Sequence, residues 1–247
     1  MLIAVAGGTG VAGRLVVTEA QAAGHQTRVL ARSTGVDLRR GTGVAAALDG
    51  VDTAIDATNL VTLRKSASVD FFSAVARNLV DASRAAGLRH LVVLSIVGCD
   101  RVDYGYYFGK RAQEDIVLCS DVPATVLRTT QFHEFTGQLL SRARGPVAVI
   151  PRMRTQPVAA REAAAELVRL AVGAPLGRAP ELAGPQVLDQ PDLARRALAA
   201  RGARRTVLPL RIPGSMGRGL AGGALLPESD GPRGTVTFDA WLAANAL

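Results

Sequence analysis

Lysine is almost missing from this chain of 247 residues: of 29 basic residues only Lys65 and Lys110 are lysines. Aromatic residues make up 4%, and there are two cysteines and three histidines. Each shortage removes a class of function. Cys99 and Cys119 lie in apolar surroundings without metal-ligand spacing, so both are expected to be buried reduced thiols, and neither a disulfide framework nor a metal site is predicted. No apolar run reaches the length of a membrane span, and the apolar start Met1 to Ala6 lacks a basic leader and runs straight into glycines. A cytoplasmic protein without a membrane partner is the expectation. The net charge of +8 favours polyanions in general, but the arginines are scattered. Only Arg39-Arg40, Arg195-Arg196 and Arg201 to Arg205 cluster, and no basic run is interleaved with aromatics, so nucleic acid is not an expected partner.

What is present is globular: 48% hydrophobic and 20% charged residues, far from a disordered composition. The length suits one α/β unit with a smaller lobe, and the Ala/Arg/Gly-heavy usage fits a GC-rich bacterial genome. Leu2 to Ala6 reads as a buried strand, Arg14 to Ala23 as a helix ending at Gly24, and Thr27 to Ala31 as a second strand. The alternation continues with strands at Thr53 to Ala57, His90 to Leu94 and Ala124 to Arg128. Helices are expected at Ser68 to Ala86, Tyr107 to Cys119, Gln131 to Ser141 and Ala159 to Val172. Gly35 to Leu38 offers a short strand and Val44 to Leu48 a turn or two of helix. Strands alternating with helices predict a Rossmann-type, doubly wound parallel sheet. Beyond residue 174 the texture turns Pro- and Gly-rich around a helix at Asp192 to Ala200, and Phe238 to Leu242 reads as a terminal helix docking on the body. A nucleotide-binding domain over 1–150 is therefore expected. Residues 151–247 would complete the sheet and form a small C-terminal substrate lobe.

Gly7-Gly8-Thr9-Gly10-Val11-Ala12-Gly13 sits between the first strand and the first helix, the context a dinucleotide fingerprint requires. Glycines let backbone approach a diphosphate, and first-turn N–H groups carry partial positive charge toward it. An ordinary tight turn would use the same glycines. After the second strand stands Ala31-Arg32-Ser33, where an acidic residue would select NAD(H) and a basic one accommodates a 2′-phosphate. NADP(H) is thus favoured, with NAD(H) as the alternative. Asp37 stands in the wrong place for the ribose.

Tyr106 and Lys110 are four residues apart at a helix start, so both project from one face. An adjacent ammonium would favour the phenolate and bring the phenol toward working range, whereas an aromatic rim with one solvated lysine would leave the same pattern. Ser95, at a strand C-terminus, could hydrogen-bond a carbonyl, and His133 is a candidate substrate contact.

The stretches Ala6 to Gly10, Leu30 to Ser33, Gly50-Val51-Asp52, Ala57-Thr58-Asn59, Leu94 to Gly98, Tyr106 to Lys110 and Leu127 to Phe132 resemble the atypical short-chain dehydrogenase/reductases, specifically the NmrA-like NAD(P)H-binding branch. Fainter likeness runs through Gln156-Pro157-Val158, Gly184-Pro185 and Phe238 to Leu242. The resemblance implies that Gly7, Thr9, Gly10, Val11 and Ala12 hold the diphosphate, with Gly13 completing the fingerprint. Arg32 and Ser33 would take the adenosine end, Ala57, Thr58 and Asn59 the adjacent ribose, and Lys110 the nicotinamide ribose. Ser95 and Tyr106 would lie near the nicotinamide, with Thr129, Thr130, Phe132 and His133 closing over it. The glycine turn, Arg32 and the Tyr106/Lys110 pair together predict an NADPH-dependent oxidoreductase that reduces a ketone or quinone. The apolar Gly- and Pro-rich C-terminal half suggests a small hydrophobic molecule, and the GC-rich usage an aromatic polyketide or other natural-product intermediate. The protein is expected as a monomer or homodimer. A non-catalytic NADP(H) redox sensor and an isomerase within a redox cascade are the alternatives.

Overall fold

The computed structural model describes residues 1–245 and opens with the expected unit: β1 (Leu2–Ala6), α1 (Val11–Ala22) and β2 (Gln26–Leu30). Then come α2 (Val44–Leu48), β3 (Thr53–Asp56), α3 (Lys65–Ala85), β4 (His90–Ile96), α4 (Gly105–Leu118), β5 (Ala124–Thr129) and α5 (Glu134–Arg142). The remainder holds β6 (Val147–Pro151), β7 (Arg154–Thr155), α6 (Ala160–Val172), β8 (Gly177–Arg178), β9 (Leu188–Asp189), α7 (Gln190–Ala200), β10 (Thr206–Leu210), α8 (Gly214–Gly222) and α9 (Phe238–Asn245). The main sheet runs β2-β1-β3-β4-β5-β8 with every pairing parallel, which is the doubly wound arrangement the alternation predicts. The chain leaves β1 toward β2 on one side and returns to β3 on the other. Ligands bind at such a switch point, outside the carboxyl ends of the strands.

Period-two alternation splits β1 between two cores. Ile3 and Val5 face α1 and α6, joining Val16, Ala20, Val92, Leu127, Ala163 and Leu167. Ala4 and Ala6 face the other way, toward α2, α3 and α4 and the cluster of Leu30, Leu48, Val75, Leu79 and Val117. Helices cover both faces, so every residue of β3 is buried.

Residues beyond 150 contribute both to the main sheet and to a second one. α6 packs on α1 and β8 extends the main sheet, whereas β6 pairs in parallel with β10 in a separate two-stranded sheet. α5, α7 and α9 wrap this small sheet around Leu140, Ile150, Leu193, Val207 and Phe238.

Three local expectations need correction. Gly35 to Leu38 makes only an isolated bridge, Asp37 to Thr42, because the glycines at 35, 41 and 43 turn the chain on itself with positive φ. α5 starts at Glu134 rather than Gln131, since Val158 N donates to Gln131 O and His133 N to Val158 O, holding Phe132 in a parallel bridge with Val158. Cys119 is an exposed thiol at the end of α4, while Cys99 is buried. Among the described residues no helix is long and apolar enough to cross a membrane, and no cluster of three or more His, Cys, Asp or Glu could hold a metal.

Leu167 is fully buried where α6 meets the sheet, whereas Leu208 is 54% exposed on the outer face of the small sheet. Leu167→Ala is therefore expected to cost about 2–5 kcal/mol in urea unfolding. Leu208→Ala should change stability by no more than about 0.5 kcal/mol.

Candidate active site

The glycine turn leaves β1 with Gly7 at φ +73°, a left-handed conformation natural to glycine. Gly7 N donates to Leu30 O (3.0 Å), and Gly10 N returns to Gly7 O (2.9 Å). A Cβ on Gly13 would stand 2.1 Å from Gly7 O and 2.7 Å from Gly8 Cα, so only glycine lets α1 start this close to the strand. Gly10 caps α1 without a side-chain hydrogen bond, and the first turn holds no acidic residue. Its N–H groups have no intrahelical partners, and Thr9, Gly10 and Val11 are exposed around them. Such a helix end receives an anion.

Beside it, Arg32 and Ser33 form a short 3-10 turn directly after β2, both exposed. Among the described residues no carboxylate pairs with Arg32. Asp37, the nearest acidic residue in sequence, accepts the backbone N–H groups of Arg39 and Arg40 instead. At the end of β3, Asp56 Oδ1 accepts Thr58 N (2.9 Å), shaping the Ala57-Thr58-Asn59 turn, and Thr58 Oγ1 is buried without a protein partner. An open helix end, an unpaired guanidinium and an orphaned hydroxyl at one sheet edge fit a dinucleotide with an additional phosphate.

The expected Tyr106–Lys110 pair is not formed. Tyr106 Oη donates to Asn59 Oδ1 (2.8 Å), and its ring meets Phe72 and Tyr107 edge-on. Lys110, 3% exposed, turns inward and donates to Leu94 O (2.6 Å) and Gln113 Oε1 (2.5 Å), with its ammonium 4.8 Å from the Phe72 ring centroid. Burial pushes the Tyr106 phenol well above its ordinary value and the Lys110 ammonium below its own. The phenol is a neutral donor at working pH.

Ser95 also points into the protein. Its hydroxyl donates to Glu114 Oε1, a carboxylate 1% exposed that also accepts Arg128 Nε (2.9 Å) and Nη2 (2.7 Å) and Arg178 Nη1 (2.7 Å). The two guanidiniums and the serine hydroxyl hold Glu114 at about 2 against the desolvation that would raise it. Thr129 and Thr130 are buried at the end of β5, Thr130 Oγ1 donating to Gln156 O (2.6 Å). Phe132 packs over the α6-side core, half-buried. His133 is fully buried beneath α9, with Nε2 3.0 Å from Val236 O and its ring tilted against Phe238 and Trp241. The structure thus gathers Gly7 to Gly13, Arg32, Ser33, Ala57 to Asn59, Tyr106, Thr129 and Thr130 at the carboxyl edge of the sheet, and turns Ser95, Lys110 and His133 away into the interior.

Asp56, Gln113, Glu114 and Arg128 were not among the expected residues. Arg128 carried the usable signal, because a charged residue inside a buried strand demands a buried counter-charge. An apolar cluster of Tyr104, Phe135, Met153, Met216, Leu220 and Leu225 beside Tyr106 draws on four separate segments, which no local pattern links.

No family model matches the chain. It is 31% identical over 201 residues, 76% of its own length and 69% of the relative's, to a (4-alkanoyl-5-oxo-2,5-dihydrofuran-3-yl)methyl phosphate reductase of Streptomyces griseus. Its fold is similar to that of an NADPH-dependent quinone oxidoreductase from Escherichia coli complexed with NADPH, at 19% identity and TM-score 0.72 over 98% of this chain and 99% of that one. It is equally similar to a Citrobacter triphenylmethane reductase complexed with NADP(H), at 16% identity and TM-score 0.72 over the full length of both.

Glu114 contributes stability fully above its ordinary value of 4.5, and the contribution is lost as pH falls from there through about 2. Glu114→Gln removes the buried charge that Arg128 and Arg178 share, while Arg128 keeps Asp100 and Arg178 stays half exposed, so it should cost about 1–3 kcal/mol at pH 7 in denaturant unfolding. The gap to wild type should narrow as pH falls below 4.5 toward 2.

Proposed function

The chain belongs to the atypical short-chain dehydrogenase/reductases, in the NmrA-like NAD(P)H-binding branch, and from that premise we propose that it is an NADPH-dependent reductase of a ketone or quinone on a small hydrophobic molecule. The observation that carries the reading is the uncapped α1 N-terminus beside an unpaired Arg32. The first-turn N–H groups of α1 take the diphosphate, Arg32 and Ser33 the 2′-phosphate, and Thr58 the adjacent ribose. Bound there, NADPH supplies the hydride. Thr129 to Phe132 wall the nicotinamide end. Tyr106, neutral and placed by Asn59 in the free site, turns its one hydroxyl proton from Asn59 Oδ1 to the carbonyl oxygen as negative charge grows on it. Ser95 and Lys110 support the site from beneath, and His133 braces its wall. The partly exposed members of the apolar cluster, Tyr104, Phe135 and Met216, offer their surface to the hydrophobic body of the substrate. The Streptomyces relative is named for a substrate that bears alkanoyl and oxo groups beside a methyl phosphate, which supports a carbonyl-bearing small molecule as the class, and we take a natural-product intermediate as its source. The proposed setting is the cytoplasm, as a monomer or homodimer.

A second reading, a sensor that binds NADP(H) without turnover, is favoured by one observation: neither Lys110 nor Ser95 reaches the site with a free polar atom. Steady NADPH consumption with any of a panel of quinones and ketones dismisses the sensor. No turnover, with unequal affinity for NADPH and NADP, dismisses the reductase. For the cofactor assignment, Arg32→Ala should raise the NADPH dissociation constant about tenfold or more while leaving that of NADH within about twofold, read by fluorescence titration.

A further inference from the structure

Beneath the site runs a chain of buried polar groups with a defined sense. Lys110 Nζ can only donate, and it donates to Gln113 Oε1; Asp56, as a carboxylate, can only accept, and its Oδ2 receives Gln113 Nε2 at 2.6 Å. A cation on one side and an anion on the other fix which end of the amide faces which way. Lys110 is 3% and Asp56 1% exposed, with Gln113 fully buried between them, so neither charge has bulk water to turn to. Lys110 also donates to Leu94 O, the last residue before Ser95, and the other oxygen of Asp56 holds Thr58 N. The relay therefore ties the carboxyl end of β4 to that of β3 through α4, and its far end shapes the turn whose Asn59 holds Tyr106.

We propose that Lys110, Gln113 and Asp56 form an amide-bridged ion pair whose task is to position the Ala57-Thr58-Asn59 turn for the dinucleotide, with Gln113 as the positioning residue that transmits the lysine charge. The consequence for binding rests on the cofactor reading above; the consequence for the turn does not. Lys110 acts here through Gln113 rather than by touching cofactor or substrate. The bridge must accept on one side and donate on the other, which a side-chain amide does and a carboxylate or an ammonium cannot.

The test is a donor–acceptor exchange. Asp56→Asn sets two amide donors against each other, and Gln113→Glu sets two carboxylates against each other. Combined, they restore a complete relay: the carboxylate introduced at position 113 pairs directly with Lys110, the amide introduced at position 56 donates to that carboxylate, and the oxygen of the same amide still accepts Thr58 N. Two readouts are taken on the full chain: the NADPH dissociation constant, and hydrogen-exchange protection of the Thr58 amide without cofactor. Each single variant should lose about tenfold in both, and the double variant should return to within about threefold of wild type. Recovery by the double variant supports the relay even where a single variant does not fold. A double variant no better than the worse single variant, or single variants with wild-type Thr58 protection, overturns it. If wild type binds no NADPH, the cofactor reading fails, and Thr58 exchange alone still decides the relay.

Discussion

The contact between Gly13 and the carbonyl oxygen of Gly7 sets the geometry of everything at the sheet edge. A single added carbon would overlap that oxygen, so α1 can begin beside β1 only because position 13 has none. The close start places an uncapped helix end at the switch point between β1 and β3, where backbone N–H groups and the helix dipole face outward together. Arg32 and Thr58 lie at the ends of the two strands that flank β1. The site is thus a consequence of strand order and one missing side chain.

Below that edge the interior holds the charged side chains of Asp56, Lys110 and Glu114, organised in two groups. Glu114 gathers Ser95, Arg128 and Arg178 across β4, β5 and β8, while Gln113, its neighbour on α4, joins Lys110 to Asp56. Adjacent residues on one helix therefore serve opposite ends of the sheet edge. Both groups engage side chains that a reading by spacing assigns to the reaction itself. Their engagement explains why Tyr106 keeps its proton: the ammonium that would have stabilised a phenolate is committed to Gln113, and burial among Phe72 and Tyr107 leaves the phenol neutral.

The parallel sheet was legible because its longer strands are short, largely apolar runs, and periodicity separates them from helices such as Lys65–Ala85 and Gly105–Leu118. The places of the glycine turn and of Arg32 were legible for the same reason: both are set by backbone position next to a strand. β6 and β10 were not, since Val147–Pro151 and Thr206–Leu210 find each other across roughly sixty residues and sit among prolines that read as loop. The Tyr106–Lys110 spacing was read correctly as one helix face, yet spacing cannot say that a flexible lysine will bend toward a glutamine three residues on rather than a tyrosine four residues back. Direction of side chains is decided by burial and partners, and those come from β3 and α3.

The proposed reductase requires that a nicotinamide dinucleotide lie across the α1 N-terminus. A crystal structure of the protein grown with NADPH tests it most directly. The predicted result is a diphosphate against the N–H groups of Val11 and Ala12, with the 2′-phosphate on Arg32 and the nicotinamide near Tyr106. A dinucleotide bound elsewhere, or an ordered α1 N-terminus with no nucleotide at saturating concentration, would contradict it.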